Sequence, residues 1–261
     1  MCYNIRVLLV VCLLAISGFS IEFSEVVKKN ISSQKISAID IGNFNGTIYI
    51  CGENTDEIQI VAYKFVRAKD EYHAKNLLEK VEVLFEEADN ILKISADLPT
   101  RSSQQFFSFS SRFSCLSGVD FEIIVPRTMD LIVSSDNGKV IVKNVDGKIC
   151  CHSKNGSVNG INISGEIELT SVNGHIDAFI DDEKVIKKIT GESKNGSIHI
   201  NISPSLGFKL EANTRRGYIY SDFPLKISEK YSGQKVNGVI NGGGAEINLK
   251  TNNGSINLLR M

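Results

Sequence analysis

His73, His152, His175 and His199 are the residues of this chain best suited to exchange protons near neutral pH or to ligate a metal. His175 and Asp177 lie two apart, so on a strand they share one face. His199 holds an outward position in a later copy of the same pattern. Brought into line, the three would form a metal or acid–base cluster; kept apart, they are solvated polar residues on a strand. Glu166 and Glu168, with Lys139 and Lys148, come nearest to the carboxylates and flanking cations of a polysaccharide-cleaving β-helix enzyme. The same alternation of charge is also what an ordinary outward strand face carries. Asp181, Asp182 and Glu183 form an acidic run that suits either one adventitious calcium ion or a solvated loop. None of these groups has the spacing of a known catalytic or metal motif. The expectation is therefore no enzyme, no resident metal and no cofactor.

The cysteines depend on compartment. Arg6 precedes an apolar run from Val7 to Ile16, and Ser17-Gly18-Phe19-Ser20 offers small residues at −3 and −1 for cleavage after Ser20. Residues 1–20 thus read as a secretory signal, and the run is short for a membrane span. An uncleaved anchor is the rival, and the one route to membrane contact. After cleavage Cys51, Cys115, Cys150 and Cys151 remain, enough for two bridges in an oxidising compartment. Cys150 and Cys151 are neighbours, so on a strand they point to opposite faces, one of them inward as a small apolar residue. The net charge of −1 supplies no overall field toward nucleic acid.

The elements that would position these groups are mostly strands. Ile36, Ile39 and Ile41 lead to Asn45-Gly46 and then Thr47 to Ile50, and Glu57 to Tyr63 alternates with period two. Asp70 to Lys80 carries Ala74, Leu77, Leu78 and Val81 at helical spacing, with Asp70 as N-cap. Val81 to Phe85 and Ile91 to Leu98 flank Asp89-Asn90 as a hairpin. Thr100 to Ser114 is rich in serine and holds Phe106, Phe107, Phe109 and Phe113. These rings suit either an exposed partner-binding loop or an irregular strand covering the end of a core.

From Leu131 the chain repeats. Gly138, Gly147, Gly156, Gly165 and Gly174 are nine residues apart, each preceded by Asn, Asp or Ser and followed two residues on by Val or Ile. Ser135, Asn144, Ser153, Asn162 and Ser171 recur two residues before the turn residue. Ser193-Lys194-Asn195-Gly196-Ser197-Ile198 nearly duplicates Ser153 to Val158, and weaker copies follow at Gly217 and Gly254. The parity turns Val140, Val142, Ile149, Cys151, Val158, Ile167, Leu169 and Ile176 to one face, and Lys139, Lys148, Glu166, Glu168, His175 and Asp177 to the other. A meander of hairpins could use such Asn-Gly pairs as tight turns. A constant phase favours a β-solenoid, in which every unit completes the same fraction of a coil. Calcium-binding β-rolls share the period but need two further glycine and aspartate positions that are missing here.

Val119 to Pro126, Leu131-Ile132-Val133 and the repeats through Ile176, with the helix and hairpin from Ala74 to Leu98, resemble the toast-rack family of adhesin-like bacterial β-strand repeats. The resemblance covers most of residues 35 to 258. It implies an extracytoplasmic β-solenoid with envelope association and an adhesion or envelope-stress role, and it supplies no catalytic residue. The insertion at Asp181 to Lys188 departs from the repeat and interrupts any continuous binding face.

The expected fold is mostly β: a signal at 1–20, a β-rich cap with one helix at 21–126, and a single-stranded β-solenoid at 127–261 continuous with that cap. Gly138, Gly147, Gly156, Gly165, Gly174, Gly196 and Gly254 are its structural turns. The expected function is a non-enzymatic, secreted, periplasmic or surface module that presents an extended face to an envelope protein or glycan, not to nucleic acid. A self-assembling envelope element is the alternative, and a polysaccharide-active enzyme comes third.

Overall fold

A computed structural model describes residues 6–8, 21–99, 116–180, 185–225, 227–230 and 233–261, with backbone alone at 6–8 and 227–230. The first half contains β1 (Arg6–Leu8), β2 (Ile21–Ser32), β3 (Ala38–Asn45), β4 (Ile48–Glu53), β5 (Glu57–Ala68), α1 (Glu71–Leu78), β6 (Glu82–Ala88), β7 (Ile91–Asp97) and β8 (Leu116–Pro126). The repeats follow as β9 (Asp130–Asn137), β10 (Val140–Lys143), β11 (Ile149–Asn155), β12 (Val158–Ile161), β13 (Gly165–Ser171) and β14 (Ile176–Ile180). The last part holds β15 (Ile186–Asn195), β16 (Ile198–Ile202), β17 (Phe208–Arg216), β18 (Ile219–Ser221), β19 (Ile227–Lys230), β20 (Gly233–Ile240), β21 (Ala245–Asn253) and β22 (Ile256–Arg260).

These strands form two mixed sheets. The first runs β1-β2-β5-β8-β4-β10-β12-β14-β16-β22-β18, and the second runs β19-β20-β17-β21-β15-β13-β11-β9-β3-β7-β6. Through the repeats every pairing is parallel: Val140 faces Val158, which faces Ile176, while Leu131 faces Ile149, which faces Ile167. Partners are 18 residues apart, so the nine-residue period is half of a unit that visits both sheets once. Hairpins through 131–179 are ruled out by this register. Each level is one strand of the second sheet, an Asn-Gly corner or its equivalent, and one strand of the first sheet. Seven levels stack among the described residues: β3–β4, β9–β10, β11–β12, β13–β14, β15–β16, β21–β22 and β17–β18.

One level is far in sequence from its neighbour, and another departs from sequential order. Ala38–Glu53, on the N-terminal side of the expected boundary at 126, pairs in register with Asp130–Lys143 as a level of its own. The C-terminal level, β21–β22, is inserted between β15–β16 and β17–β18. The chain thus makes its outermost level first and returns to fill the gap.

Alternation builds the core. Val140, Val158, Ile176, Ile198 and Ile256 form one inward column, and Leu131, Ile149, Ile167, Ile189 and Ile247 form the column facing it. Gly160 makes room for the Ile163 side chain, so large and small residues interlock across the layers.

Non-repeating elements are added at both ends. β2, β5 and β8 run antiparallel beyond β4, and α1 lies against β2 and β5. Asp70 Oδ1 accepts from the His73 N–H at 3.0 Å and caps α1 as its sequence requires, with Ala74 and Leu78 buried. β6 and β7 pair across Asp89 (φ 53°) and Asn90 (φ 62°), the left-handed pair of a type I′ hairpin. At the far end β20 pairs antiparallel with β17, and the Gln234 Oε1 accepts the Ile219 N–H of edge strand β18 at 2.6 Å. No helix among the described residues is long and apolar enough to cross a membrane.

Candidate functional site

The repeat glycines divide between two edges. Gly138, Gly156, Gly174, Gly196 and Gly254 turn the chain from the second sheet into the first, whereas Gly147 and Gly165 lie at the opposite edge. At Gly156 the Gly138 carbonyl oxygen occupies the place of a Cβ, and the same overlap recurs from level to level. Close stacking, not an unusual φ, is what requires glycine here.

The residue before each of these glycines builds an amide ladder. Asn155 Nδ2 donates to Asn137 Oδ1 (2.9 Å), Asn173 to Asn155 (2.8 Å), Asn195 to Asn173 (2.8 Å) and Asn253 to Asn195 (2.7 Å). Asn137 ends the run on the Phe44 carbonyl, and Arg216 takes the equivalent place in the seventh level. Two residues earlier a buried hydroxyl ladder runs alongside. Ser153 donates to Gly138 O, Ser171 to Gly156 O, Ser193 to Gly174 O, Thr251 to Gly196 O and Thr214 to Gly254 O. The opposite edge carries a shorter version, with Asn162 donating to Asn144 and Ser164 to Asp146, each at 2.7 Å. Asn144 and Asn162 sit at φ 55° and 54°, which asparagine tolerates better than most residues.

The fold does bring His175, Asp177 and His199 together. His199 Nδ1 lies 3.0 Å from Asp177 Oδ1, and the two imidazoles stack at 6.3 Å between centroids. His175 Nδ1 accepts the Ser197 N–H at 3.1 Å. Each imidazole thus has one nitrogen engaged on a flat outer face. No group of three or more His, Cys, Asp or Glu side chains among the described residues is arranged to hold a metal ion.

Glu166 and Glu168 both point outward from β13, as expected, into solvent. Glu166 faces the positions of Lys148 and Lys188, completing an alternating row Asp130, Lys148, Glu166, Lys188, Glu246 and Lys209 across the second sheet. Such opposite pairs stabilise neighbouring strands. Lys139 stands apart, at the Asn-Gly edge. A shallow open depression of about 310 Å³ lies at the end of this row, lined by Lys209, Leu210, Glu211, Asn237, Glu246 and Asn248. Lys235 Nζ binds Glu211 at 2.8 Å and holds its carboxyl below the ordinary range.

Cys150 and Cys151 point to opposite faces. Cys151 is fully buried, and burial drives its thiol pKa far up; burial also raises that of Cys150, with the Glu168 charge adding to it. Cys51, Cys150 and Cys151 are free thiols. Cys115, the four rings Phe106, Phe107, Phe109 and Phe113, the acidic run Asp181 to Lys184 and most of the leader lie outside the described residues. The position just before the ladder asparagines passes unnoticed in the sequence, although the duplicated Ser-Lys-Asn-Gly-Ser motif displays it at Lys154 and Lys194.

A solved structure of a candidate cell-adhesion protein from Clostridium sporogenes superposes with a TM-score of 0.50 at 14% identity, covering 91% of this chain and all of that one. A candidate adhesin from Bacteroides fragilis aligns at 13% identity over 90% of this chain and 97% of its own, with a TM-score of only 0.32. At 14% identity the likeness to the Clostridium sporogenes protein is one of fold alone. No curated protein sequence matches the chain. Residues 130–259 match the Toastrack family, DUF4097, and cover levels two to seven of the stack. Through this repeat region the chain belongs to the Toastrack family.

Proposed function

We propose that the seven levels act as a β-solenoid, continuous with its N-terminal strands, and that it serves as a non-enzymatic, adhesin-like module outside the cytoplasm. Its flanks would engage an envelope protein or glycan. The observation that carries this reading is that both ends of the parallel stack carry non-repeating elements that do not match its register, while its faces and the Asn-Gly side are open. Antiparallel strands and α1 lie at one end; the β19–β20 hairpin and the Gln234 side chain lie at the other. A parallel stack grows by in-register pairing of like levels, so ends that carry non-repeating strands work against end-to-end assembly and leave lateral contact. Catalysis finds no support in Glu166 and Glu168, which stand on an open face instead of converging in a pocket. The name of the Clostridium sporogenes neighbour, a candidate cell-adhesion protein, agrees with this reading.

The test is binding of the labelled chain to isolated bacterial envelopes, untreated, protease-treated or periodate-treated, alongside light scattering of the chain alone. Saturable binding by a monomer is expected, and the treatment that abolishes it identifies protein or glycan. Concentration-dependent polymers without saturable binding would instead establish the assembly alternative.

A further inference from the structure

We infer that the Asn-Gly edge is a binding track for an extended anionic polysaccharide carrying one carboxylate on every second sugar. The inference rests on the interaction-module reading and names its ligand class.

The residue just before the ladder position changes in a regular way along the stack. From the third level to the seventh it is Lys154, Val172, Lys194, Asn252 and Arg215. Cations therefore occupy alternate levels of one register column. Parallel strands lie about 4.8 Å apart, so successive charges in the column are roughly 10 Å apart. A disaccharide of an extended glycan has comparable length, and polymers that alternate a uronate with an uncharged sugar place their carboxylates at that interval. Lys154, Lys194 and Arg215 are all exposed, and none forms an ion pair with another described residue. Asp136 takes the same position in the second level and marks the end of the column.

The amide ladder runs beside this column and suits the uncharged part of such a chain. Asn155, Asn173 and Asn195 each commit one N–H to the preceding amide and receive one hydrogen bond from the next. A carboxamide has two N–H donors and two lone pairs, so one of each remains for sugar hydroxyls at each of these three levels. All three side chains are exposed. The ladder also fixes their orientation beforehand, which lowers the entropy cost of binding. Lys139 and Tyr218, both exposed, flank the track toward its two ends, the phenol offering a face for stacking. The net charge of −1 conceals the track because acidic residues elsewhere cancel it.

The experiment measures binding of the purified chain to immobilised hyaluronan, which has a carboxylate on alternate sugars, with neutral dextran and a single-stranded oligonucleotide beside it. The variant K154Q/K194Q/R215Q removes the column. K80Q/K93Q/K187Q removes three exposed lysines elsewhere and leaves the same net charge. All six side chains are exposed, and matched thermal unfolding of the variants confirms an intact fold. Expected is salt-sensitive hyaluronan binding that falls about tenfold in the column variant, the combined effect of three exposed ion pairs, and changes less than about twofold in the control. Equal binding by both variants would overturn the track, as would stronger binding to the oligonucleotide. Capture of dextran or of envelope protein without hyaluronan would overturn the ligand class yet leave the interaction module standing. Failure to bind any glycan or envelope would remove both.

Discussion

Gly156 shows how little room a corner of this stack leaves. The Gly138 carbonyl stands where a methyl group would be, and the strands on both sides fix its distance. Gly156→Ala should therefore cost about 3 kcal/mol or more, since backbone must move to relieve the overlap. Gly242, at φ 78° with nothing near a prospective Cβ, meets only the left-handed penalty, and its alanine variant should cost about 1–2 kcal/mol. Denaturant midpoints of the two variants check that order. Asp222 supports the chain in another way. Its carboxylate accepts the Arg260 N–H (3.0 Å) and the Tyr220 hydroxyl (2.9 Å), which together hold its pKa below the ordinary aspartate range. A depressed carboxyl pKa gives stability that is complete above the unfolded value, about 3.9, and lost as pH falls through the folded one. Melting temperature should thus drop on acidification below about pH 4, with a smaller drop in D222N, whose amide cannot titrate.

The amide ladder belongs to the scale of elements, because each rung joins two strands that are already paired through their backbones. Asn173 sits inside it and makes two side-chain hydrogen bonds, whereas Asn253 at its end makes one. An exposed amide bond contributes on the order of 0.5–1 kcal/mol, so Asn173→Ala should destabilise about twice as much as Asn253→Ala. Urea titrations give both numbers, and equal losses would show that the ladder adds nothing beyond local propensity. Buried hydroxyls contribute on the inner side of the same corner. Thr251 keeps the pattern of Ser153, Ser171 and Ser193 with an added methyl group that fills space near the core.

At the scale of the molecule, the insertion of β21–β22 between β15–β16 and β17–β18 matters most. In a stack laid down in order, losing the last turn trims one end. Here it removes an interior level and strands β17–β20 without a neighbour. A chain ending at residue 243 should lose cooperative unfolding and become protease-sensitive well beyond the cut, which circular dichroism melts and limited proteolysis would show. The same topology makes many contacts long-range, so folding should be slow for a protein of this size.

Much of the architecture is legible in the residues themselves. The alternation of Val140, Val142, Val158 and Ile176 announces strands with one buried face, because side chains alternate sides along any strand. Asn-Gly at constant phase announces corners, because only glycine tolerates a carbonyl stacked against its Cα. The capped helix and the Asp89-Asn90 hairpin are legible for similarly local reasons. What remained for the tertiary structure was the assignment of neighbours. A nine-residue period cannot reveal that Gly138 and Gly147 lie on opposite edges, since both positions obey the same local rule. Nor can it reveal that Ile48 pairs with Val140 across 92 residues, or that the C-terminal level fills an interior place. Those pairings are decided by which edges remain open as the core closes. The alternate-level column of Lys154, Lys194 and Arg215 exists only once they are made.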